Sequence, residues 1–484
     1  MTKKIIFLIV TLSLVLIPLK AQDYLMEEIV SVEKNRKTIK KLQEMSLDFL
    51  MERNNRIYII VGYNDFLKLH EENILYTLET YNFYPFKQKK ISLQGGVNGA
   101  YHSYREVEQE LLNLENTYPE IASVLKIGES LEGRNIYALK ISDHVHLDEN
   151  EAEVLFIGCH HAREWISVEV PLLLGKYLAE NYGNNSEVKD IVDQSEIWIV
   201  PLLNPDGLYY SIHFYRYWRK NRRDNRDGTY GVDLNRNYGY KWGYDNSGSS
   251  PNTASNVFRG MTAFSEPESQ AIRDFYASRN FQAMITYHNY SQLILYPWGY
   301  TEELTEQNDL LSQIASDMSG LIESVNGSIY VDEPASSMYL TNGDTTDWSF
   351  GVYGIPSFTI ELPPEGWEYG GFFNPEEDIQ PIFNENLPAA LYLIDRSIQN
   401  VGSSTEIPER RRMIPEKWIT KPRIRKKRLK QDRRNIRDSH HKPVKRVKIK
   451  DPKVKYNPPA QDSKSKAKNR KEIKKIDKVH LNAY

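Results

Sequence analysis

Two adjacent histidines, His160 and His161, precede Glu164 in the stretch GCHHAREWISVEV, residues 158–170. Residues three or four positions apart share one side of a helical turn, so either histidine could bind a metal together with Glu164. Zinc takes histidine nitrogen and carboxylate oxygen, and a catalytic zinc keeps one of its four positions open. The pair alone is a weak signal, since most such pairs lie on helix surfaces. The neighbouring Cys159 is more typical of a buried small residue than of a ligand.

Two further residues with chemical potential lie far downstream, each near the end of an apolar run. His288 closes FQAMITYH (281–288), and Glu361 stands late in PSFTIEL (356–362). Burying an unpaired carboxylate is costly, so a glutamate on such a run indicates a site that needs it. Adding His288 to a histidine–glutamate pair would complete a two-histidine, one-glutamate ligand set, although spacing cannot prove that these residues meet.

The elements that must position these residues follow from four short apolar runs, 153–158, 196–203, 281–288 and 356–362. Continuous runs of this length, separated by helical segments such as 305–325, are typical of buried strands in a parallel sheet. We therefore predict an α/β fold whose central mixed, largely parallel sheet is flanked by helices. Ligands of open α/β sheets bind beyond the carboxyl ends of the strands. His161, His288 and Glu361 would then meet at one edge.

The N-terminus predicts export. Residues 1–21 combine Lys3 and Lys4 with an apolar stretch over 5–18, and Ala21 suits a cleavage site. A membrane anchor is the alternative, but the apolar stretch is short for a span. We expect a signal peptide, a secreted or periplasmic location, and no transmembrane segment in the mature chain.

Residues 22–95 predict a small α+β domain ahead of a large domain over 96–400. The stretch 26–53 has helical spacing, and 56–73 predicts a strand followed by a helix after Asn64 and Asp65. A basic cluster at Lys87–Lys90, followed by Gly95 and Gly96, marks the boundary and a plausible site of proteolytic nicking.

Charge is distributed unevenly along the chain. The net charge is −3, yet residues 401–484 hold 29 Lys and Arg against 9 Asp and Glu. This basic tail has few periodic apolar positions, which is typical of a solvated, largely disordered segment. Its candidate partner is a polyanion, namely nucleic acid, acidic polysaccharide or an anionic membrane surface. The favoured alternative is a solvated linker or a secretion and processing extension. A single cysteine excludes an intramolecular disulfide.

The segment HAREWI (161–166) resembles the zinc motif of the carboxypeptidase A/B family of metallopeptidases. The resemblance recurs in order across most of residues 100–395, in RYWRK (216–220), VDLNRN (232–237), HNYSQ (288–292), the tyrosine loop 339–348 and FTIEL (358–362). Six motifs in one order are specific. The resemblance implies the carboxypeptidase fold, with 22–95 in the place of an inhibitory prodomain. It implies one zinc ion per chain, held by His161, Glu164 and His288, with His160 as a neighbour only.

The resemblance also implies that the partner is the free C-terminus of a peptide or protein. The planar terminal carboxylate suits the two-pronged guanidinium group of Arg236, with Asn235 and Tyr339 adding hydrogen bonds. The alternative is that Tyr339 has no role in binding and is one of many exposed tyrosines.

Three more roles follow from the resemblance. Glu361 would take a proton from the attacking water and pass it to the leaving amine. Arg219 would stabilise the oxyanion beside zinc, and Arg163 would contact substrate residues upstream of the bond. The alternative is that the arginines of 216–226 form only a basic surface patch.

The pocket for the terminal side chain departs from both main patterns of the family. Enzymes that prefer Lys or Arg carry Asp at the position of Thr346, and those that prefer apolar ends carry a bulky aliphatic residue. Here Asp344 lies two residues earlier, an arrangement similar to bacterial members of broad specificity. We predict a preference for apolar and aromatic C-terminal residues, with weaker acceptance of Lys and Arg through Asp344.

Two other functions remain open on the sequence. One is a hydrolase of peptidoglycan stem peptides on the same fold, against which Asn235, Arg236 and Tyr339 argue. The other is an inactive binding protein with a polyanion-binding tail, against which the intact ligands, Glu361 and Arg219 argue. We expect a monomer.

Overall fold

The computed structural model describes residues 28–45, 47–53, 55–61, 63–78, 98–366 and 370–403. The predicted signal peptide, the cluster at Lys87–Lys90 with Gly95 and Gly96, and the basic tail beyond 403 lie outside the described residues. Among the described residues, none of the helices combines the length and the apolar character needed to cross a bilayer.

The N-terminal segment forms a small α+β unit with an antiparallel sheet in the order β2-β3-β1-β4. The prediction of helical spacing over 26–53 is wrong in part, because a short helix there lies between two strands. Val30 and Val32 pack with Ile57 and Ile59 in a core of their own, and this period-2 burial outweighs the helical spacing. The elements are β1 (Glu28–Glu33), α1 (Arg36–Glu44), β2 (Asp48–Arg53), β3 (Arg56–Val61), α2 (Tyr63–Glu71) and β4 (Tyr76–Leu78).

The large domain is built on an eight-stranded sheet in the order β11-β10-β12-β9-β7-β8-β6-β5. Four neighbouring pairs are parallel and three are antiparallel, which confirms the predicted mixed, largely parallel sheet. The strands are β5 (Ala122–Glu129), β6 (Asn135–Ile141), β7 (Ala152–Ile157), β8 (Ser195–Val200), β9 (Phe281–Asn289), β10 (Leu293–Tyr296), β11 (Val331–Pro334) and β12 (Ser357–Leu362).

Helices cover both faces of this sheet, and two short 3-10 turns lie at Leu234–Arg236 and Glu376–Asp378. One core cluster contains Phe156 and Ile199, and the second contains the alternate strand residues Leu155 and Trp198. The helices are α3 (Tyr104–Thr117), α4 (Ile166–Asn181), α5 (Ser186–Val192), α6 (Pro205–His213), α7 (Pro267–Ala277), α8 (Asn308–Asn326), α9 (Ala335–Met338), α10 (Thr345–Tyr353) and α11 (Ile379–Ser403).

The four predicted apolar runs become β7, β8, β9 and β12, and the predicted helix over 305–325 becomes α8. Every residue of β7 and β8 is buried, as expected for strands covered on both faces. His288 in β9 lies directly opposite Glu361 in the parallel strand β12. His161 follows the end of β7, so the three residues do meet at the carboxyl edge of the sheet.

Candidate active site

Two histidines and one glutamate converge at this edge, and all three are buried. Nδ1 of His161 lies 2.9 Å from Oε1 of Glu164 and 3.1 Å from Nδ1 of His288. Nδ1 of His288 lies 3.0 Å from Oε2 of Glu164. Within the described part of the chain, this is the one metal-compatible group that combines two histidines with a carboxylate.

These three residues fit zinc. Neutral imidazole nitrogen and carboxylate oxygen are zinc donors at about 2.0–2.2 Å, so an ion among donors some 3 Å apart would contact each of them. Two ring nitrogens 3.1 Å apart cannot both donate to each other, and a shared cation explains why both turn to one point. Three protein donors would leave one position open for chemistry.

Asp233 sets the orientation of His161 by contacting the ring nitrogen that does not face the metal group. Its Oδ1 lies 3.1 Å from Nε2 of His161 and accepts a hydrogen bond from the Asn235 N–H at 2.9 Å. With the proton on Nε2, Nδ1 is free to bind a metal, as is usual for histidine ligands backed by a carboxylate. Burial alone would raise the pKa of Asp233, but Arg219 and His161 hold it well below its usual value.

Asp233 lies within the VDLNRN motif, but the sequence alone predicts no role for it. The available signal was a carboxylate between the apolar residues Val232 and Leu234, in a motif already tied to the site. A buried charge in such a position needs a partner, and here the partners are His161 and Arg219.

His160, which spacing left open as a ligand, points away from the metal group. Its Nε2 lies 2.9 Å from the Tyr238 hydroxyl and 2.8 Å from Oγ1 of Thr345, and its Nδ1 lies 3.1 Å from Oγ1 of Thr286. Burial and the neighbouring histidines lower its pKa well below the usual value, so the ring is neutral. It stacks on the ring of His288 at 5.4 Å and thereby supports that ligand.

Cys159 turns the chain at the end of β7. Its φ of +56°, unusual for a residue other than glycine, lies directly before the two histidines. Its Sγ lies 3.7 Å from the carbonyl of His161, and burial raises the pKa of the thiol. A neutral buried thiol is a poor metal ligand, which agrees with the interpretation of Cys159 as a packing residue.

The metal group opens into one cleft that also contains Arg163, Arg219, Asn235, Arg236, Tyr339, Asp344, Thr346 and Glu361. Every substrate-binding or catalytic residue predicted from the sequence therefore lines the same cavity. Sequence reasoning did not name several other lining residues, among them Leu295, Ala335, Met338, Thr359 and Phe372.

Arg219 is buried beside the metal group, not on a basic surface patch, and so is the adjacent Lys220. Its Nε and Nη2 donate to Oδ2 of Asp233 at 3.1 and 2.9 Å. Its Nη1 lies 3.9 Å from Oε1 of Glu164. This arrangement holds the guanidinium rigidly at the cleft wall next to the metal ligands.

Asn235 and Arg236 occupy the 3-10 turn that Asp233 caps. Oδ1 of Asn235 accepts hydrogen bonds from the N–H and the hydroxyl of Thr345 at 2.9 and 2.8 Å. Nε of Arg236 donates to the Gly248 carbonyl at 2.9 Å, and its guanidinium carbon lies 5.9 Å from the ring of the half-buried Tyr339.

Glu361 lines the same cleft as the arginines and is not one of the three clustered ligands. Burial raises its pKa well above the usual value, the negative charge of Glu164 adds to the rise, and Arg219 opposes it. A carboxyl group of raised pKa takes up a proton more readily than an ordinary exposed one, which suits general acid–base work.

A family model described as zinc carboxypeptidase, peptidase M14, matches residues 107–389. The chain belongs to the zinc carboxypeptidase family. Bovine carboxypeptidase O is 34% identical over 301 residues, 61% of this chain and 78% of the relative. Carboxypeptidase B of Astacus astacus is 34% identical over 294 residues, 59% of this chain and 93% of the relative. The crystal structure of carboxypeptidase A from Helicoverpa armigera, at 25% identity, superposes with a TM-score of 0.67 over 78% of this chain and 98% of that chain.

In this carboxypeptidase, aromatic rings pack against Arg163 and Arg216. Arg163 is almost fully buried, with its guanidinium carbon 4.1 Å from the centre of the Phe372 ring. Arg216 lies between Trp165 and Phe373, at 3.7 and 4.5 Å, and donates to the Arg163 carbonyl at 2.5 Å. Arg216 thus supports the zinc-motif segment through the Arg163 carbonyl, while the Arg163 side chain lines the cleft.

The far end of the carboxypeptidase cleft combines a carboxylate with a hydroxyl pair. Asp344 caps α10, where its Oδ1 accepts from the Asp347 N–H at 2.8 Å and its Oδ2 accepts from the Thr341 hydroxyl at 2.6 Å. Oγ1 of Thr346 lies 2.7 Å from Oγ1 of Thr359. Each hydroxyl therefore has a partner in the other. Apolar side chains complete this wall, namely Leu295, Ala335 and Met338.

Proposed function

We propose that this carboxypeptidase is exported and removes the C-terminal residue of peptides and proteins, with a preference for apolar and aromatic ends. The observation that carries the proposal is the single cleft that joins the ligands His161, Glu164 and His288 to Arg236 and Glu361. Hydrolysis of a terminal peptide bond requires a metal site, a carboxylate-binding arginine and a general base within one cavity.

The substrate would enter with its terminal carboxylate toward Arg236. A guanidinium group can donate two parallel hydrogen bonds to a carboxylate, which fixes both distance and orientation. The Gly248 carbonyl holds the Nε side of Arg236, and Tyr339 lies beside its face. Asn235 would add a donor, since Thr345 already fixes its amide oxygen.

The same binding mode would place the scissile carbonyl between the metal ligands and Glu361. When bound, zinc would supply Lewis acidity that polarises this carbonyl and acidifies water. Glu361 would accept the proton of the attacking water and return it to the leaving amine. Arg219, held by Asp233, would donate to the oxygen on which negative charge develops.

A terminal-residue series tests both activity and specificity. For the zinc-loaded enzyme we expect kcat/KM to be highest for peptides ending in Phe or Leu, lower for Arg and lowest for Glu. Asp344→Asn should reduce kcat/KM for Arg ends by about tenfold, the worth of one charge-assisted hydrogen bond. Phe and Leu ends should hardly change, because asparagine caps a helix as well as aspartate does.

Three other outcomes would redirect the proposal. If Arg ends were cleaved best and Asp344→Asn left that preference intact, Asp344 would not read the terminal side chain. If peptidoglycan stem peptides were cleaved in preference to simple peptides, the cell-wall hydrolase would be the better description. A zinc-loaded protein that cleaved neither class would be an inactive binding protein.

We further propose that residues 22–95 act as a prodomain that covers the cleft until cleavage near Lys87–Lys90. Supporting this, residues 28–78 form a sheet with a core of its own. The proposed boundaries are a signal peptide over 1–21, the prodomain over 22–95, the catalytic domain over 96–400 and the basic tail over 401–484. The polyanion partner and the monomeric state also stay predictions.

The prodomain proposal predicts that the chain with residues 22–95 attached is at least about tenfold less active than a chain that begins near Gly99. Limited proteolysis of the longer chain should raise its activity, with N-terminal sequencing of the product locating the cut. Activity would be measured on one peptide ending in Phe, at equal zinc content. Equal activity of the two chains would show that 22–95 is an ordinary attached domain.

A further inference from the structure

A second group of metal-compatible side chains lies at the amino ends of β7 and β8, the edge opposite the active site. Glu153 and Glu196 are the second residues of these strands and lie directly opposite each other in the parallel register. Both are buried, with 5% and 0% of their surface exposed. Together with Asp148 on the preceding loop, they offer carboxylate oxygens that lie within 4.8 Å of one another.

Two of these oxygens are buried without a hydrogen-bond partner. Oε1 of Glu153 accepts from the Asn280 N–H at 2.8 Å, whereas its buried Oε2 has no such partner in the described structure. Oε1 of Glu196 pairs with Lys140 at 2.7 Å, and its buried Oε2 also lacks a hydrogen bond. Buried carboxylate oxygens are normally satisfied, so this pair indicates a missing ligand of positive charge.

Two basic residues lie close but do not complete the site. Nη1 of Arg279 lies 3.4 Å from Oδ1 of Asp148 and 3.8 Å from Oε2 of Glu196. Nζ of Lys140 pairs with Oε1 of Glu196 at 2.7 Å and donates to the Leu147 carbonyl at 2.5 Å. Neither pairs with Glu153 in the described ion pairs, and the Arg279 distances are long for charge-assisted hydrogen bonds.

The surrounding loop increases the excess of negative charge. Asp143, Glu149 and Glu151 lie nearby, and one buried oxygen each of Asp143 and Glu151 lacks a hydrogen-bond partner in the described residues. A further cation would offset the mutual repulsion of these carboxylates around Lys140 and Arg279.

We propose that Asp148, Glu153 and Glu196 bind a hard divalent cation of the calcium type, separate from the catalytic zinc. All three ligands are oxygens, which Ca²⁺ prefers, and exposed Asp148 leaves one side open to the waters that complete its six to eight ligands. The ion would fasten the loop before β7 to the start of the central sheet and so stabilise the fold.

A neighbouring group, Asp143, His144 and Glu149, is a weaker candidate. His144 is mostly exposed and already pairs with Asp143 and Glu149 at 3.2 and 3.0 Å. Its mixed nitrogen and oxygen donors would favour Zn²⁺ or Ni²⁺ over Ca²⁺. Competition between these ions therefore distinguishes binding at the Asp148, Glu153 and Glu196 site from binding at this neighbouring group.

Trp198 provides a built-in reporter for the proposed site. Its ring centre lies 4.4 Å from the guanidinium carbon of Arg279 and 5.7 Å from Nζ of Lys140. Terbium, which takes the oxygen ligands of Ca²⁺, should luminesce when the zinc-loaded full chain is excited through tryptophan. We expect Ca²⁺ to quench this signal by displacement and Ni²⁺ to leave it unchanged. If Ca²⁺ did not reduce the terbium signal, this experiment on the wild-type chain would by itself overturn the proposal.

Glu153→Gln keeps the shape of the side chain and its acceptor for Asn280 but removes the charge. We expect it to weaken Ca²⁺ displacement of terbium at least about tenfold and to abolish the rise in melting temperature that Ca²⁺ gives the wild type. Without Ca²⁺ the variant should melt no lower than wild type, because a repulsion has been removed.

Glu268→Gln is the matched control. Glu268 is likewise buried, has an oxygen without a hydrogen bond in the described structure, and has a pKa raised to about 8, yet it belongs to no metal-compatible group there. This control should keep the full Ca²⁺ response. Equal Ca²⁺ responses in wild type and Glu153→Gln, or equal losses in both variants, would refute the site. If Glu153→Gln does not fold, the Ca²⁺ and Ni²⁺ competition on wild type decides.

Discussion

Replacing Glu361 with glutamine should lower kcat by about 10²–10⁴, the range typical for loss of a general acid–base group, while zinc content stays unchanged. Glutamine has nearly the same shape but cannot take up a proton. Glu361 lines the cleft, whereas the clustered ligand atoms belong to His161, Glu164 and His288. The loss should therefore appear in kcat, with KM for a peptide ending in Phe little changed.

The measurement is steady-state hydrolysis together with metal analysis of the same preparations. Glu268→Gln serves again as the control, because it alters a buried carboxyl group of raised pKa outside the cleft and should keep wild-type kcat. A Glu361→Gln enzyme within a few-fold of wild-type kcat would remove Glu361 from the mechanism. Zinc lost together with activity would instead make Glu361 part of the metal site.

The pH profile adds a second readout for Glu361. A general base works only when ionised, so the activity it provides is present above its pKa and is lost as the pH falls through that value. Burial and the charge of Glu164 raise this pKa above the usual range, although a cation bound at Glu164 would offset part of the rise. The acidic limb of kcat/KM in the wild type should therefore be missing from whatever activity Glu361→Gln retains.

The difference between His161 and His160 shows how far local spacing reaches. Both histidines stand at a helical distance from Glu164, and nothing in GCHHAREW separates them physically. The structure separates them through the hydroxyls of Tyr238, Thr286 and Thr345, which lie 78 to 185 positions along the chain and occupy the ring nitrogens of His160. Only the motif resemblance could predict that His161 and not His160 joins the metal group. Partners so distant along the chain produce no periodic pattern in the sequence.

Strands were predictable where burial on both faces leaves a continuous apolar run, as over 154–157 in β7 and 197–200 in β8. The N-terminal stretch 26–53 was not, since its short strands flank a basic helix and share its polar composition. The role of Asp233 was missed for a similar reason. Its importance lies in two partners, His161 and Arg219, that only the folded chain brings to its two oxygens.

Replacing Arg219 with glutamine should lower kcat by about 10²–10³, as loss of an oxyanion-stabilising donor typically does. Lysine should not restore the rate. One ammonium group cannot both pair with Asp233, as Nε and Nη2 of Arg219 do, and present a second donor toward the cleft. The effect should be found in kcat for all C-terminal residues alike, because the oxyanion is common to every substrate.

Removing Arg219 also leaves Asp233 buried with one partner fewer, and breaking such a buried pair can cost about 3–5 kcal/mol of stability. Arg223→Gln separates this effect from catalysis, because Arg223 likewise pairs with a buried carboxylate, Glu266, at 2.9 Å, but outside the cleft. Arg223→Gln should have a lower melting temperature than the wild type and an unchanged kcat. Arg219→Gln should have both a lower melting temperature and a lower kcat. If melting temperature and kcat fell in proportion in both variants, Arg219 would be a structural residue, and charge on the developing oxyanion would have to be stabilised by other groups in the cleft.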